Sequence, residues 1–208
     1  MMWILILWIV ICIVWSVGLG LVRWLDKPIW NISRKEYGIL LVVSVGNAFL
    51  IGAKSQEPQI VIGMSVVAGC FLFACITDCK SYEVYQFIWW LAVVACIIIL
   101  FSGWEKREHI LYATLPEILF FCLLQEFFFC RWYGRADCHA FTICALVSLE
   151  NGTGLKNCLI QMLIAFGILA VRQFAHRNIN RRGNLKKPVA FLPYITVSFW
   201  INYGCFYP

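Results

Sequence analysis

From Met2 to Val22 the chain carries no charged residue. A stretch of roughly 20 apolar residues is long enough to cross a bilayer as one helix. It exceeds the ~7–15 residue core of a signal peptide and has no basic lead-in, so it reads as a retained span. Seven further apolar runs follow at Gly38–Ala53, Ile60–Thr77, Phe87–Gly103, Ile110–Cys130, Cys138–Leu149, Cys158–Val171 and Val189–Tyr207. In hydrocarbon every backbone polar group must be satisfied internally, which leaves helices as the solution for runs of this length. The expected fold is an all-α polytopic membrane protein, a bundle of six to eight transmembrane helices. Cys138–Leu149 is short enough to be a partial or re-entrant helix.

Composition supports the same class. Of 208 residues, 62% are hydrophobic and 13% charged, against about 45–50% and about 25% in a soluble domain. Trp24, Trp30, Trp89, Trp90, Trp104 and Trp132 lie beside charges, as residues of an aromatic belt do. The basic residues give the orientation. With the amino terminus outside, the inner segments hold Arg23, Lys27, Arg34, Lys35, Lys80, Arg131, Arg135, Arg172 and the five basic residues of Arg177–Lys187. The outer segments hold Lys54, Lys106, Arg107 and Lys156, so the division of the 17 is thirteen to four. The positive-inside rule favours this arrangement. It accounts for the net charge of +6 without nucleic acid as a partner. Arg181-Arg182-Gly183-Asn184-Leu185-Lys186-Lys187 reads as a topology anchor facing anionic lipid.

Two carboxylates stand out against this background. Asp78 follows an apolar run in Cys75-Ile76-Thr77-Asp78, and Asp137 precedes another in Gly134-Arg135-Ala136-Asp137. A carboxylate at a bilayer edge costs free energy unless it is paired, hydrated or used. Two spans separate them, so both fall on one face. A pair of nearby carboxylates shares a proton, and one can act as base while the other acts as acid. A structural reading stands beside this one: Asp78 could pair with Lys80 or Arg135, and Asp137 could cap a helix beginning at Cys138. Glu117 and Glu126 lie nine residues apart, 900° around an ideal helix, and so on opposite faces. Glu126 is the nearer to the inner end and could line a site or pair with Arg131 or Arg135. Cys79, Cys138 and His139 flank the aspartates without recognisable ligand spacing, so no metal and no cofactor is expected. None of the eleven cysteines forms a C-x-x-C pair, which argues against a disulfide framework.

These settings resemble the prepilin peptidase family, membrane aspartic proteases that include the type IV leader peptidases and the preflagellin peptidases. Thr77-Asp78 with a polar stretch and Val84 six residues on is similar to the family's first motif. Gly134-Arg135-Ala136-Asp137 is similar to its second, Gly-x-Gly-Asp. Pro188-Val189-Ala190-Phe191-Leu192-Pro193-Tyr194 resembles the Pro-rich approach to its last span. The resemblance covers 38–208 and implies one membrane-embedded peptidase domain over 1–208, with 1–22 as a first span ahead of the core. It implies removal of the short basic leader of pilin-like or flagellin-like precursors at the cytoplasmic face of the plasma membrane. Asp78 and Asp137 would be catalytic. Gly134 and Ala136 would shape the turn presenting Asp137, with Thr77, Tyr85, His139 and Glu126 in supporting or substrate-binding places. Ala136 stands where the family has glycine, and His139 where it often has lysine. The loop 23–37 lacks the paired C-x-x-C motifs of the bacterial methyltransferase domain, so the short, peptidase-only form is implied. A small transporter or structural subunit with ion-paired aspartates, and a catalytically lapsed relative, are the alternatives.

Overall fold

The computed structural model describes residues 2–26, 32–55, 57–102, 104–150, 152–179 and 189–206. Among them there is no strand. Eight α-helices follow in order: α1 (Met2–Asp26), α2 (Arg34–Lys54), α3 (Pro58–Ser81), α4 (Gln86–Ser102), α5 (Trp104–Phe127), α6 (Arg135–Glu150), α7 (Gly154–Ile179) and α8 (Leu192–Phe206). A 3-10 turn, Phe129–Arg131, follows α5. Lys27 and the basic stretch Arg181–Lys187 lie outside the described residues. Five helices are long and apolar enough to cross a membrane, α1, α2, α3, α5 and α7, and α4 is a shorter apolar helix. The chain is a multi-pass membrane protein. At 1.5 Å per residue the 16 residues of α6 and the 15 of α8 reach only ~24 Å and ~22 Å, less than the ~30 Å hydrocarbon core.

The helices run past the apolar runs because polar residues close their ends. α2 starts four residues before Gly38 on a capping box. Ser33 Oγ accepts from Glu36 N–H at 3.3 Å, and the Glu36 carboxylate accepts from Ser33 N–H at 2.6 Å. Two of the orphan donors at the helix start are thereby satisfied. α3 starts at Pro58, whose missing N–H is harmless in a first turn. It ends at Tyr82, which adopts φ 57° and donates its N–H to the Asp78 carbonyl at 3.0 Å. Asp78 therefore lies inside the last turn of α3 rather than beyond the helix.

α3 is the central element. It packs against α1, α2, α4 and α8, and 78% of its most apolar window is buried, against 28% or less in the other four long helices. Between lipid-immersed helices there is little hydrophobic drive, so close van der Waals contact at small residues decides the packing. Gly69 provides this against α1: a Cβ there would meet Val14 Cβ at 2.6 Å and the Ile11 carbonyl at 3.1 Å. Gly63 does so against α4, where a Cβ would lie 2.4 Å from Ile99 Cγ1. Phe71 fills the space toward α8 by stacking on Phe199 at 5.5 Å. The long apolar faces of α1, α2, α5 and α7 stay exposed, with Val42, Phe120, Leu163 and Val171 among the examples. This is the surface that lipid covers.

Candidate active site

Three helix termini meet at one end of the bundle: the end of α3 and the starts of α6 and α8. Asp78 is 8% exposed. Its Oδ2 accepts from the Leu192 backbone N–H at 3.1 Å, and the Phe191 backbone lies beside the carboxylate. The partner that the structure gives Asp78 is thus a backbone donor at the start of α8. Lys80, a partner considered from sequence, pairs with Glu36 at 3.0 Å and ties α3 to the start of α2.

Asp137 stands in the first turn of α6. That helix begins at Arg135, not at Cys138, and the Asp137 and Cys138 N–H groups both reach back to the Gly134 carbonyl, at 3.1 and 3.2 Å. The Gly134 backbone in turn bonds the Asp137 carboxylate, and the charge of Asp78 acts on it. An acid at this place, reaching back to the residue before the helix, is the carboxylate half of a capping box. Gly134-Arg135-Ala136-Asp137 is consequently a helix start and not a free turn. Gly134 is not among the glycines with positive φ, Gly152 and Gly154, and a Cβ on it would meet only Asp137 Oδ2, at an ordinary 3.7 Å. Ala136 lies within the helix and packs on the core, where alanine outdoes glycine by ~1 kcal/mol. The departure from Gly-x-Gly-Asp is therefore compatible with this backbone.

Asp137 and Gly134 line a cleft of about 710 Å³, together with Phe129, Trp132, Tyr133, Met162, Phe166, Leu169, Gln173, Val189 and Phe191. The walls are mostly apolar and aromatic. Tyr133, Phe141, Phe166 and Phe191 form one ring cluster, with Phe166–Phe191 centroids 5.0 Å apart and Tyr133–Phe191 6.2 Å apart. Tyr133 donates its hydroxyl to the buried Gln125 Oε1. Gln125 Nε2 faces Met162 Sδ at 3.4 Å. Phe191 belongs to both halves of the site: its ring walls the Asp137 cleft while its backbone lies beside Asp78. Sequence reasoning singled out the segment containing Phe191 and Leu192 but gave neither residue a role, because a backbone donor leaves no residue-type signal.

The supporting residues divide. Thr77 is buried and donates its hydroxyl to the Ala74 carbonyl of its own helix at 3.0 Å. Tyr85 packs its ring on Phe73 and Phe87, at 6.3 and 6.0 Å. Neither contact reaches an aspartate. His139 and Glu126 pair with each other, Nδ1 to Oε1 at 2.7 Å, and join α6 to α5. Trp89 of α4 lies beside the imidazole at 6.3 Å. His139 is two residues from Asp137, ~200° around the helix, so it braces the opposite side of α6. Glu117, in the middle of α5, accepts from Leu155 N–H at 3.1 Å and caps α7. Among the described residues no group of three His, Cys, Asp or Glu side chains could hold a metal.

A carboxylate pair at converging helix ends, beside an aromatic cleft in a multi-pass membrane protein, has the makings of a membrane-embedded hydrolase. A profile of the type IV leader peptidase family matches residues 65–172, just over half of the chain, and includes both Asp78 and Asp137. The chain belongs to the type IV leader peptidase family, as its resemblance to the prepilin peptidases leads one to expect. The family makes it a protease of the leader-peptidase kind, acting on precursor proteins. No curated protein and no solved structure matches the chain.

Proposed function

We propose that this protein is an aspartic endopeptidase that removes the short basic leader of pilin-like or flagellin-like precursors. Asp78 and Asp137 are its catalytic pair. Two carboxylates in mutual reach hold one proton between them at neutral pH. The ionised partner takes a proton from water, which attacks the scissile carbonyl. The protonated partner polarises that carbonyl and then protonates the leaving amine. The chemistry needs neither metal nor side-chain nucleophile. Gly134 and Ala136 serve by starting the helix that carries Asp137, and the His139–Glu126 pair serves by bracing it. Thr77 and Tyr85 hold the end of α3 and the segment after it.

What supports this reading is that Asp137 stands in the wall of a cleft that Phe191 also lines, while the next residue, Leu192, gives its N–H to Asp78, whose charge acts on Asp137. A precursor with a basic leader and an apolar helix would place its scissile bond at that level. Its helix would lie in the membrane and its leader in water. The thirteen-to-four division of basic residues supports an amino terminus outside and a site at the cytoplasmic face of the plasma membrane. Six to eight spans then form a single peptidase domain.

The test is cleavage of a co-expressed pilin-like precursor by wild type, Asp78→Asn and Asp137→Asn, with membrane levels of each measured. Asparagine keeps the size and removes the acid–base function. Wild type should shorten the precursor and each variant should leave it whole. Cleavage by both variants at the wild-type rate would sink the dyad.

A further inference from the structure

The start of α8 poses an accounting question that Asp78 answers. The first N–H groups of a helix have no partner within it. Here Tyr194 and Ile195 donate to the Phe191 carbonyl, at 3.0 and 3.3 Å. Pro193 has no N–H to place. That leaves Phe191 and Leu192; the Asp78 carboxylate of a different helix accepts from the Leu192 N–H at 3.1 Å, and the Phe191 backbone lies beside it. The joint is buried on each side: Asp78 is 8% exposed and Leu192 0%. The start of α8 is itself immobilised, because the Phe191 ring sits among Tyr133, Phe141 and Phe166. Phe166 comes from α7, and Phe141 lies one turn along α6 from Asp137. The ring that locates the donor is thus packed on the helix carrying the second aspartate.

We propose that Leu192 is a positioning residue for the dyad, registering the Asp78 carboxylate against Asp137 through its backbone N–H, with the Phe191 ring fixing where that donor stands. This rests on the assignment of Asp78 and Asp137 as the catalytic pair. A carboxylate on one side-chain axis can swivel. A fixed donor on Oδ2 holds that oxygen in place and leaves Oδ1 for water and the shared proton. Displacement of a reacting group by ~1 Å costs on the order of a hundredfold in rate.

The test compares two variants that both lose the Leu192 side chain. Leu192→Ala keeps the N–H, whereas Leu192→Pro removes it at a first helical position that tolerates proline. Initial rates on a purified pilin-like precursor in detergent give kcat and KM for each. The expected ratio of kcat, alanine over proline, is about a hundredfold, with KM similar in the two, the signature of a defect in the chemical step. A ratio near one, or a difference confined to KM, overturns the proposal. Should Leu192→Pro be lost from the membrane, the α-hydroxy acid analogue of leucine at 192 replaces N–H by O and retains the side chain. A fall of about tenfold in its kcat relative to wild type supports the positioning role, and a wild-type kcat overturns it. If wild type leaves the precursor whole, the assignment of the pair fails, and the inference falls with it. Wild-type cleavage with a ratio near one refutes the positioning role alone.

Discussion

Gly63 offers the sharpest quantitative test of the packing that holds α3 in place. A methyl group there would lie 2.4 Å from Ile99 Cγ1, 2.9 Å from Ile99 Cδ1 and 3.3 Å from the Ala95 carbonyl. Comfortable carbon–carbon contact begins at ~3.5 Å. The overlap with Ile99 thus exceeds ~1 Å, while the carbonyl needs to yield only slightly. Ile99 is 1% exposed and has nowhere to turn, so Gly63→Ala should destabilise by about 1–3 kcal/mol through overpacking. Ile99→Ala alone should cost about 2–5 kcal/mol as a cavity. Together the two should cost less than their sum by about 1–3 kcal/mol, because the new methyl occupies space that Ile99 vacates. Thermal unfolding in detergent, followed by the fluorescence of the ten tryptophans, measures each corner of the cycle. Additivity to within about 0.5 kcal/mol would refute the claim that α3 and α4 touch through this glycine. Asp78 lies fifteen residues further along α3, ~22 Å away, so cleavage per folded molecule should not follow the loss of stability.

Other parts of the structure make their own demands. Gly154→Ala should cost about 1–2 kcal/mol, since the residue has φ +62° and the added Cβ would come within 3.0 Å of Glu117 Oε2; the same melt reads it. Tyr133→Phe should cost about 1–3 kcal/mol by leaving the buried Gln125 Oε1 without its donor, and adding Gln125→Leu should recover part of it. Glu126→Leu should cost no more than about 1 kcal/mol, because the His139–Glu126 pair is roughly one-third exposed on each side. A larger loss would mean that the brace across α5 and α6 matters more than its solvation implies.

The sequence was most legible where one property repeats. Apolar runs marked all eight helices, only the run for α5 carrying acidic residues, since a lipid-facing helix advertises itself over its whole length. Its ends were harder. α2 gained a turn from Ser33 and Glu36, and α6 gained Arg135 and Ala136, because capping is decided by one or two polar residues outside the apolar run. The Asp78 and Asp137 motifs were legible because residue type and spacing carry them, and the family match spans both. The fate of the flanking charges was not. Glu126 was expected to line the site or meet an arginine and instead meets His139, thirteen residues away, because helix azimuths are fixed only once α5 and α6 pack. Gly134 and Ala136 were expected to shape the turn presenting Asp137; that segment is the start of α6, with no positive φ at Gly134.

The joint between Asp78 and α8 has a consequence for how such a protein can vary. The family match ends at Arg172, twenty residues before the Leu192 N–H that holds the first aspartate. A backbone amide is contributed by every residue except proline. Side chains at 191 and 192 can therefore be exchanged among apolar types that still bury without removing what Asp78 accepts. Exchange of side chains in this segment and preservation of that hydrogen bond are therefore compatible. The constraint falls on where proline stands: at 193 it is harmless, and one position earlier it would take away a donor.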